Sequence, residues 1–130
     1  MKNLSNARVS QYRQKIAKLI AELNRLSLKA GHGDLIFHGL PQEVYRQCGK
    51  PNCRCAAGGE WRHGPYPVID VWRNGKARQL SLKKSEVEYF EMAKHYQYQI
   101  QNRRKIAMVQ EEILKEVDKM IEARTIWEKQ

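Results

Sequence analysis

All three cysteines of this 130-residue chain fall within eight residues, in the run CGKPNCRC (48–55), and His63 follows them in the same window. Three thiols and an imidazole form a Cys3His set, which fills the four corners of a tetrahedral zinc site and leaves none open for substrate. Cys48 and Cys53 are separated by four residues, at the upper end of knuckle spacing, and Gly49 with Pro51-Asn52 supplies the tight turn between them. Cys55 lies one residue beyond Cys53, an uncommon spacing that requires a kinked backbone. Gly58 and Gly59 let the loop carry His63 back to the thiols. A closed site of this type is structural, and metal binding there contributes directly to folding.

Two other chemistries draw on the same residues. Reduced thiols with a packing histidine would behave as small hydrophobes. A redox switch would release its metal and form disulfides under mild oxidant. An odd cysteine count argues against a purely disulfide framework, there is no C-x-x-C, and no acid is placed to activate a Cys–His pair. His32 and His38 compete with His63 as fourth ligand from a turn-rich stretch upstream, while His95 falls on a helical pattern and is expected to face solvent.

Basic and aromatic residues are interleaved across this window. Arg46, Lys50, Arg54 and Arg62 surround the ligands with Trp61 among them, and Arg73, Lys76 and Arg78 cluster at a turn just beyond. That mixture suits phosphate contacts with stacking or groove insertion. Trp61 and Trp72 are nonetheless expected in or at the edge of the core, because large aromatics dominate small cores. A further basic knot, Arg103-Arg104-Lys105, either contacts phosphate or is simply solvated.

The elements that must position these groups follow from periodicity. Residues 4–30 read as a helix: Val9, Tyr12, Ile16, Leu19, Leu23 and Leu26 recur at spacings of three and four, Ser5 is the expected N-cap, and Gly31 sits where the helix stops. Arg8, Arg13, Lys15, Lys18 and Arg25 lie opposite this stripe. Residues 31–47 are broken by glycines and Pro41 into one or two extended pieces. Residues 67–72, PVIDVW, alternate as a strand, with Val68, Asp70 and Trp72 on one face and Ile69 and Val71 on the other. Asn74-Gly75 is a favoured two-residue hairpin turn, and ARQLSL (77–82) is the return strand.

From Ser85 onward there is neither Gly nor Pro. Ser85 and Glu88 form a capping-box pattern that opens one long helix, or two with a soft break at the polar stretch 97–105. Its second half carries Ile106, Ile113, Val117, Met120 and Trp127, flanked by Ala107, Leu114 and Ile121, with Arg103, Gln110 and Arg124 interrupting the seam. The two helical stripes require partners, either each other as an antiparallel pair or a second copy in a dimer, and a homodimer is the expectation.

The formal charge is +10, concentrated before residue 86: residues 1–30 hold seven Lys/Arg against Glu22 alone, whereas residues 86–130 hold eight against nine acids. Such a surface attracts nucleic acid or anionic lipid, or serves solubility. No run of about 18 apolar residues is present to span a membrane, and the opening MKNLSNARVSQYRQK lacks the apolar segment of a secretory leader, so a cytoplasmic protein is expected.

CGKPNCRC followed by HGPY, NGKARQLSL and a long helical segment resembles a group of short bacterial proteins of unknown function, often encoded near transposases and other mobile-element genes. The resemblance covers roughly residues 40–100. It implies a metal knuckle at Cys48, Cys53, Cys55 and His63, and a mobile-element or genome-defence setting.

The expected architecture is therefore α+β: an N-terminal amphipathic helix (1–31), a zinc-knuckle and β-hairpin module (32–84), and a long C-terminal helix in one or two segments (85–130), the helices forming a helical pair or coiled-coil-like frame. The expected function is non-enzymatic nucleic-acid binding beside a recombinase, transposase or similar machine. There is no acidic two-metal cluster, Gly-rich phosphate loop or triad-like set to suggest catalysis. The alternative is a protein–protein adaptor whose helices and zinc module dock on a partner.

Overall fold

A computed structural model describes residues 2–129, with side chains from Asn6 onward. Helix α1 spans Lys2–Ala30, strand β1 Leu40–Arg46, strand β2 His63–Arg73, strand β3 Lys76–Ser81 and helix α2 Val87–Arg124. Three short 3-10 turns, Arg54–Ala57, Gly59–Trp61 and Lys84–Glu86, lie between them. The fold is α+β, as its sequence pattern predicts. The chain divides into two compact units, residues 33–99 and residues 1–32 with 100–130.

In the unit of residues 33–99, the strands form one antiparallel sheet in the order β1-β2-β3. The β2–β3 hairpin closes as expected on Asn74 and Gly75, both with positive φ (52° and 73°), so the twist of the turn matches that of the strands. Arg73 pairs with Lys76, and Ile69 with Leu80. The turn-rich stretch before the cysteines supplies β1, whose pairing with β2 is interrupted by a bulge between Val44 and Arg46. One sheet face is covered by the start of α2: Ile69, Val71 and Ala93 form the buried core, with Phe37 and Leu82 packed against it. Phe37 meets Tyr89 edge to face at 5.6 Å, and its N–H donates to the Met92 carbonyl. Gln97 Nε2 donates to the Gly39 carbonyl at 2.9 Å, fixing the entry to β1.

In the other unit, α1 and the second part of α2 run antiparallel, since Lys15 meets Glu116 while Leu26 meets Asn102. The expected α1 stripe is the covered side: Val9 and Leu26 are buried, and Tyr12, Ile16, Leu19 and Leu23 are half-buried. On α2, Ile106, Ile113, Val117 and Met120 are half-buried, whereas Leu114 and Ile121 are exposed.

Several expectations about ends and faces require correction. α1 begins at Lys2, so Ser5 lies within the helix; its side chain is outside the described residues. The cap before α2 is two residues earlier than expected, with Glu86 Oε1 accepting from the Lys83 backbone N–H at 3.0 Å. α2 is a single helix across 97–105. It stops at Arg124, where Thr125 Oγ1 donates to the Ile121 carbonyl, and Trp127 lies beyond it, exposed. Arg103, Gln110 and Arg124 are exposed and do not interrupt a buried seam.

Candidate metal centre

The cysteine window is the connection from β1 to β2, and each ligand sits where the backbone turns. Cys48 follows the end of β1. Gly49 takes φ 82°, and the Cys53 N–H donates to the Lys50 carbonyl at 3.2 Å, closing the turn between the first two cysteines. Cys53 is extended at the start of a 3-10 turn that contains Cys55, and this curl supplies the kink that the one-residue spacing demands. The Gly58 N–H donates to the Cys55 carbonyl at 2.9 Å, and Gly58 and Gly59 both adopt positive φ as the chain returns to His63, the first residue of β2.

Cys48, Cys53, Cys55 and His63 are the group among the described residues that could hold a metal ion; their ligand atoms all lie within 4.8 Å of one another. Cys48 Sγ is 3.3 Å from Cys55 Sγ, and Cys53 Sγ is 3.3 Å from His63 Nε2. Corners of a tetrahedron around one ion with metal–sulfur bonds of about 2.3 Å stand about 3.7 Å apart, so the cluster fits a single ion. All three cysteines are free thiols. Cys55 is buried, and its sulfur accepts the Cys48 backbone N–H at 3.2 Å, a bond that orients one ligand sulfur through the main chain of another ligand residue.

The thiols differ in acidity. The Cys53 thiol is lowered to about 6, first by the Cys55 backbone N–H directed at its sulfur, then by the Cys55, His63 and Cys48 side chains. For Cys55 the largest influence is the Cys48 backbone N–H, which lowers it. Burial and the neighbouring Cys48 and Cys53 thiols together outweigh that bond and push it to about 11. Of the rival histidines, His38 is engaged elsewhere: Arg73 Nη1 lies 2.8 Å from its Nδ1, and its ring packs on Tyr96 at 4.8 Å. His32 and His95 are exposed and outside the cluster.

The basic residues fall into four groups. Near the metal cluster, Lys50 is exposed in its turn, the Arg54 guanidinium lies 4.3 Å above the Trp61 ring, and Arg62 Nε donates to the Gly59 carbonyl at 3.1 Å. Arg46, at the end of β1, instead reaches across to β3: Nη1 donates to Ser81 Oγ at 3.2 Å and Nη2 to Gln79 Oε1 at 2.9 Å. At the hairpin, strand register puts Arg73, Lys76 and Arg78 on the face shared with Ile69 and Val71. Lys76 and Arg78 are exposed, while Arg73 Nη2 donates to the His38 carbonyl at 3.0 Å. Arg103, Arg104 and Lys105 are exposed on α2, in the unit of residues 1–32 with 100–130.

The two tryptophans correct their expected place. Trp61 is 46% exposed and Trp72 62% exposed, because Ile69, Val71, Ala93, Phe37 and Leu82 already fill the core of their unit. Trp72 lies opposite Ala77 on the sheet face away from that core, and the Trp61 ring carries the Arg54 guanidinium on one face. The bonds from Arg46 across to β3 were not legible in the sequence, since they depend on strand order. The open face on which they lie was signalled by the alternation along β2.

Among the described residues, no helix is long and apolar enough to cross a membrane. No curated protein and no solved structure matches the chain. One family does: residues 8–91 match DUF6788, a domain of unknown function, and the match takes in the last three-quarters of α1, the whole metal cluster, the sheet and the start of α2. With more than half of its length matched, the chain belongs to the DUF6788 family.

Proposed function

We propose that this protein is a non-enzymatic nucleic-acid-binding accessory factor whose metal cluster holds a structural zinc ion. The observation that carries this reading is the convergence of Cys48, Cys53, Cys55 and His63 inside a module whose surface presents cations beside exposed aromatic rings. Three thiolates and an imidazole are a zinc set, and with all four positions taken by protein the ion staples the β1–β2 connection and leaves no site for a substrate. Lys50, Arg54 and Arg62 then grip phosphates around the staple, and Lys76 and Arg78 do so along the hairpin.

The motif resemblance supports a bacterial, cytoplasmic setting beside a transposase, recombinase or other mobile-element or genome-defence enzyme. The helical unit pairs with a second copy. Fluorescence anisotropy of the zinc-loaded protein with labelled duplex DNA, single-stranded DNA and structured RNA tests the reading. Affinity should fall by orders of magnitude between about 50 and 200 mM salt, and Arg73, Lys76 and Arg78 changed together to Ala should flatten that slope. Absence of salt-sensitive binding to every probe sinks it.

A second reading has its own observation. Leu114 and Ile121 are exposed one heptad apart on α2, a row suited to a protein partner, which an adaptor would use while its charge served solubility.

A further inference from the structure

The β-sheet has one covered and one uncovered face. Ile69 and Val71 point toward α2, so Tyr66, Val68, Asp70 and Trp72 point away from it, together with their cross-strand partners Ala77, Gln79 and Ser81 on β3 and Leu40, Gln42 and Val44 on β1. This second face is wet. Tyr66 is 43% exposed and Trp72 62%, and Leu40, Gln42, Gln79 and Ser81 are exposed as well.

Its middle is organised by a hydrogen-bonded row. Gln79 Nε2 donates to Asp70 Oδ1 at 3.2 Å, Gln79 Oε1 accepts from Arg46 Nη2, and Ser81 Oγ accepts from Arg46 Nη1. To reach β3 from β1 the Arg46 side chain must cross β2, and Val68, paired with Ser81, lies on that path. The crossing accounts for a valine that is fully buried on an otherwise open face. The guanidinium is thereby held in place between Tyr66 and Trp72. Six residues of strand, about 20 Å, separate the two aromatic rings along β2.

We propose that this face is a stacking surface for single-stranded nucleic acid, with Tyr66 and Trp72 as platforms for bases and the pinned Arg46 guanidinium between them. The inference rests on the nucleic-acid reading above and adds the substrate class. A solvated aromatic ring on a rigid strand costs hydrophobic free energy unless a flat partner covers it, and every base has such a face. Guanidinium planes stack on bases too and carry the charge that a polyanion requires. A duplex hides its base faces and could stack on none of these three groups. DNA and RNA single strands offer the same bases, so both are used as probes.

The test is anisotropy of the full-length, zinc-loaded chain with fluorescein-labelled oligo-dT, oligo-rU and a mixed-sequence duplex of equal length. It compares wild type with Tyr66→Ala, Trp72→Ala and Trp72→Phe, each checked for native circular dichroism. Wild type should bind at least one single strand more tightly than the duplex. Each alanine variant should lose roughly tenfold or more in single-strand affinity, with its salt slope unchanged, and Trp72→Phe should recover most of the loss. Equal affinity for duplex and single strands, or alanine variants that bind like wild type, overturns this proposal and leaves nucleic-acid binding standing. Failure of wild type to bind any of the probes overturns both.

Discussion

Lys15 Nζ lies 2.9 Å from Glu116 Oε1, and it is the carboxylate that is buried: the Glu116 side chain is 5% exposed and that of Lys15 58%. Lys119 adds a second ammonium at 3.3 Å. A carboxylate taken out of water is tolerated only when cations or donors meet it, so this pair sets the register of α1 against α2. The Lys15 hydrogen bond is the main reason the Glu116 carboxyl is lowered below its ordinary 4.5, and the same bond raises Lys15 above 10.5.

The sign of the pH effect follows. Glu116 contributes stability above the unfolded carboxyl value and loses it as pH falls through the lower folded value. Lys15 contributes below its unfolded value and loses it only in strong alkali. Lys15→Met should therefore lower the Tm at pH 7 and make its fall below pH 4.5 shallower than in wild type. Thermal unfolding monitored by circular dichroism at several pH values checks this, and parallel curves for the two proteins would contradict it.

Stripped of metal, the three thiols should react in a definite order. Cys53, with its thiol near 6, is substantially thiolate at neutral pH, whereas Cys55 is buried and raised to about 11. Limited alkylation with iodoacetamide after chelation, read by peptide mass mapping, should label Cys53 ahead of Cys55. Added zinc should protect all three while releasing protons to the buffer. Equal labelling rates, or no protection by zinc, count against the arrangement.

Asn102 is a buried amide whose Nδ2 donates to the Leu26 carbonyl at 3.0 Å. Asn102→Ala removes that donor and should destabilise the chain by about 1–3 kcal/mol in urea unfolding. A change within the error of the midpoint would mean that water replaces the amide at no loss.

Gly39 is buried at the head of β1. A Cβ there would run into Ile69 Cγ2 and stand 3.1 Å from the Asp70 carbonyl oxygen and 3.2 Å from Val71 Cγ1. Gly39→Ala should cost about 1–3 kcal/mol by overpacking. Gly31→Ala, whose Cβ meets only the Leu28 carbonyl at 3.8 Å, should cost far less. The urea midpoints of the two variants provide the comparison.

What the sequence made legible was local. Asn74-Gly75 specifies its turn through the backbone freedom of two residues, and the metal cluster is legible because ligand types and turn-forming glycines lie within 16 residues of chain. The α1 stripe is covered where its periodicity places it. What escaped depends on distant chain. Asn102 looked like one more polar residue in QYQIQNRRK, yet its partner is a carbonyl 76 residues away. Trp61 and Trp72 look like core residues by size, but a core is filled by whichever side chains the sheet register turns inward. Glu88 and Glu86 are both set for a capping contact, and tertiary position selected Glu86.

The three-stranded sheet has two outer strands, β1 and β3, and both carry features that discourage the addition of a foreign strand. Pro41 removes a backbone donor from β1, and the bulge near Arg46 disrupts its regular ladder. β3 is exposed along its whole length and places Lys76 and Arg78 at alternate positions, so that a second β3 arriving edge to edge would set like charges side by side. Neutralising Lys76 and Arg78 would remove that repulsion, so such mutants should be watched for precipitation on expression before any loss of binding is assigned to lost contacts.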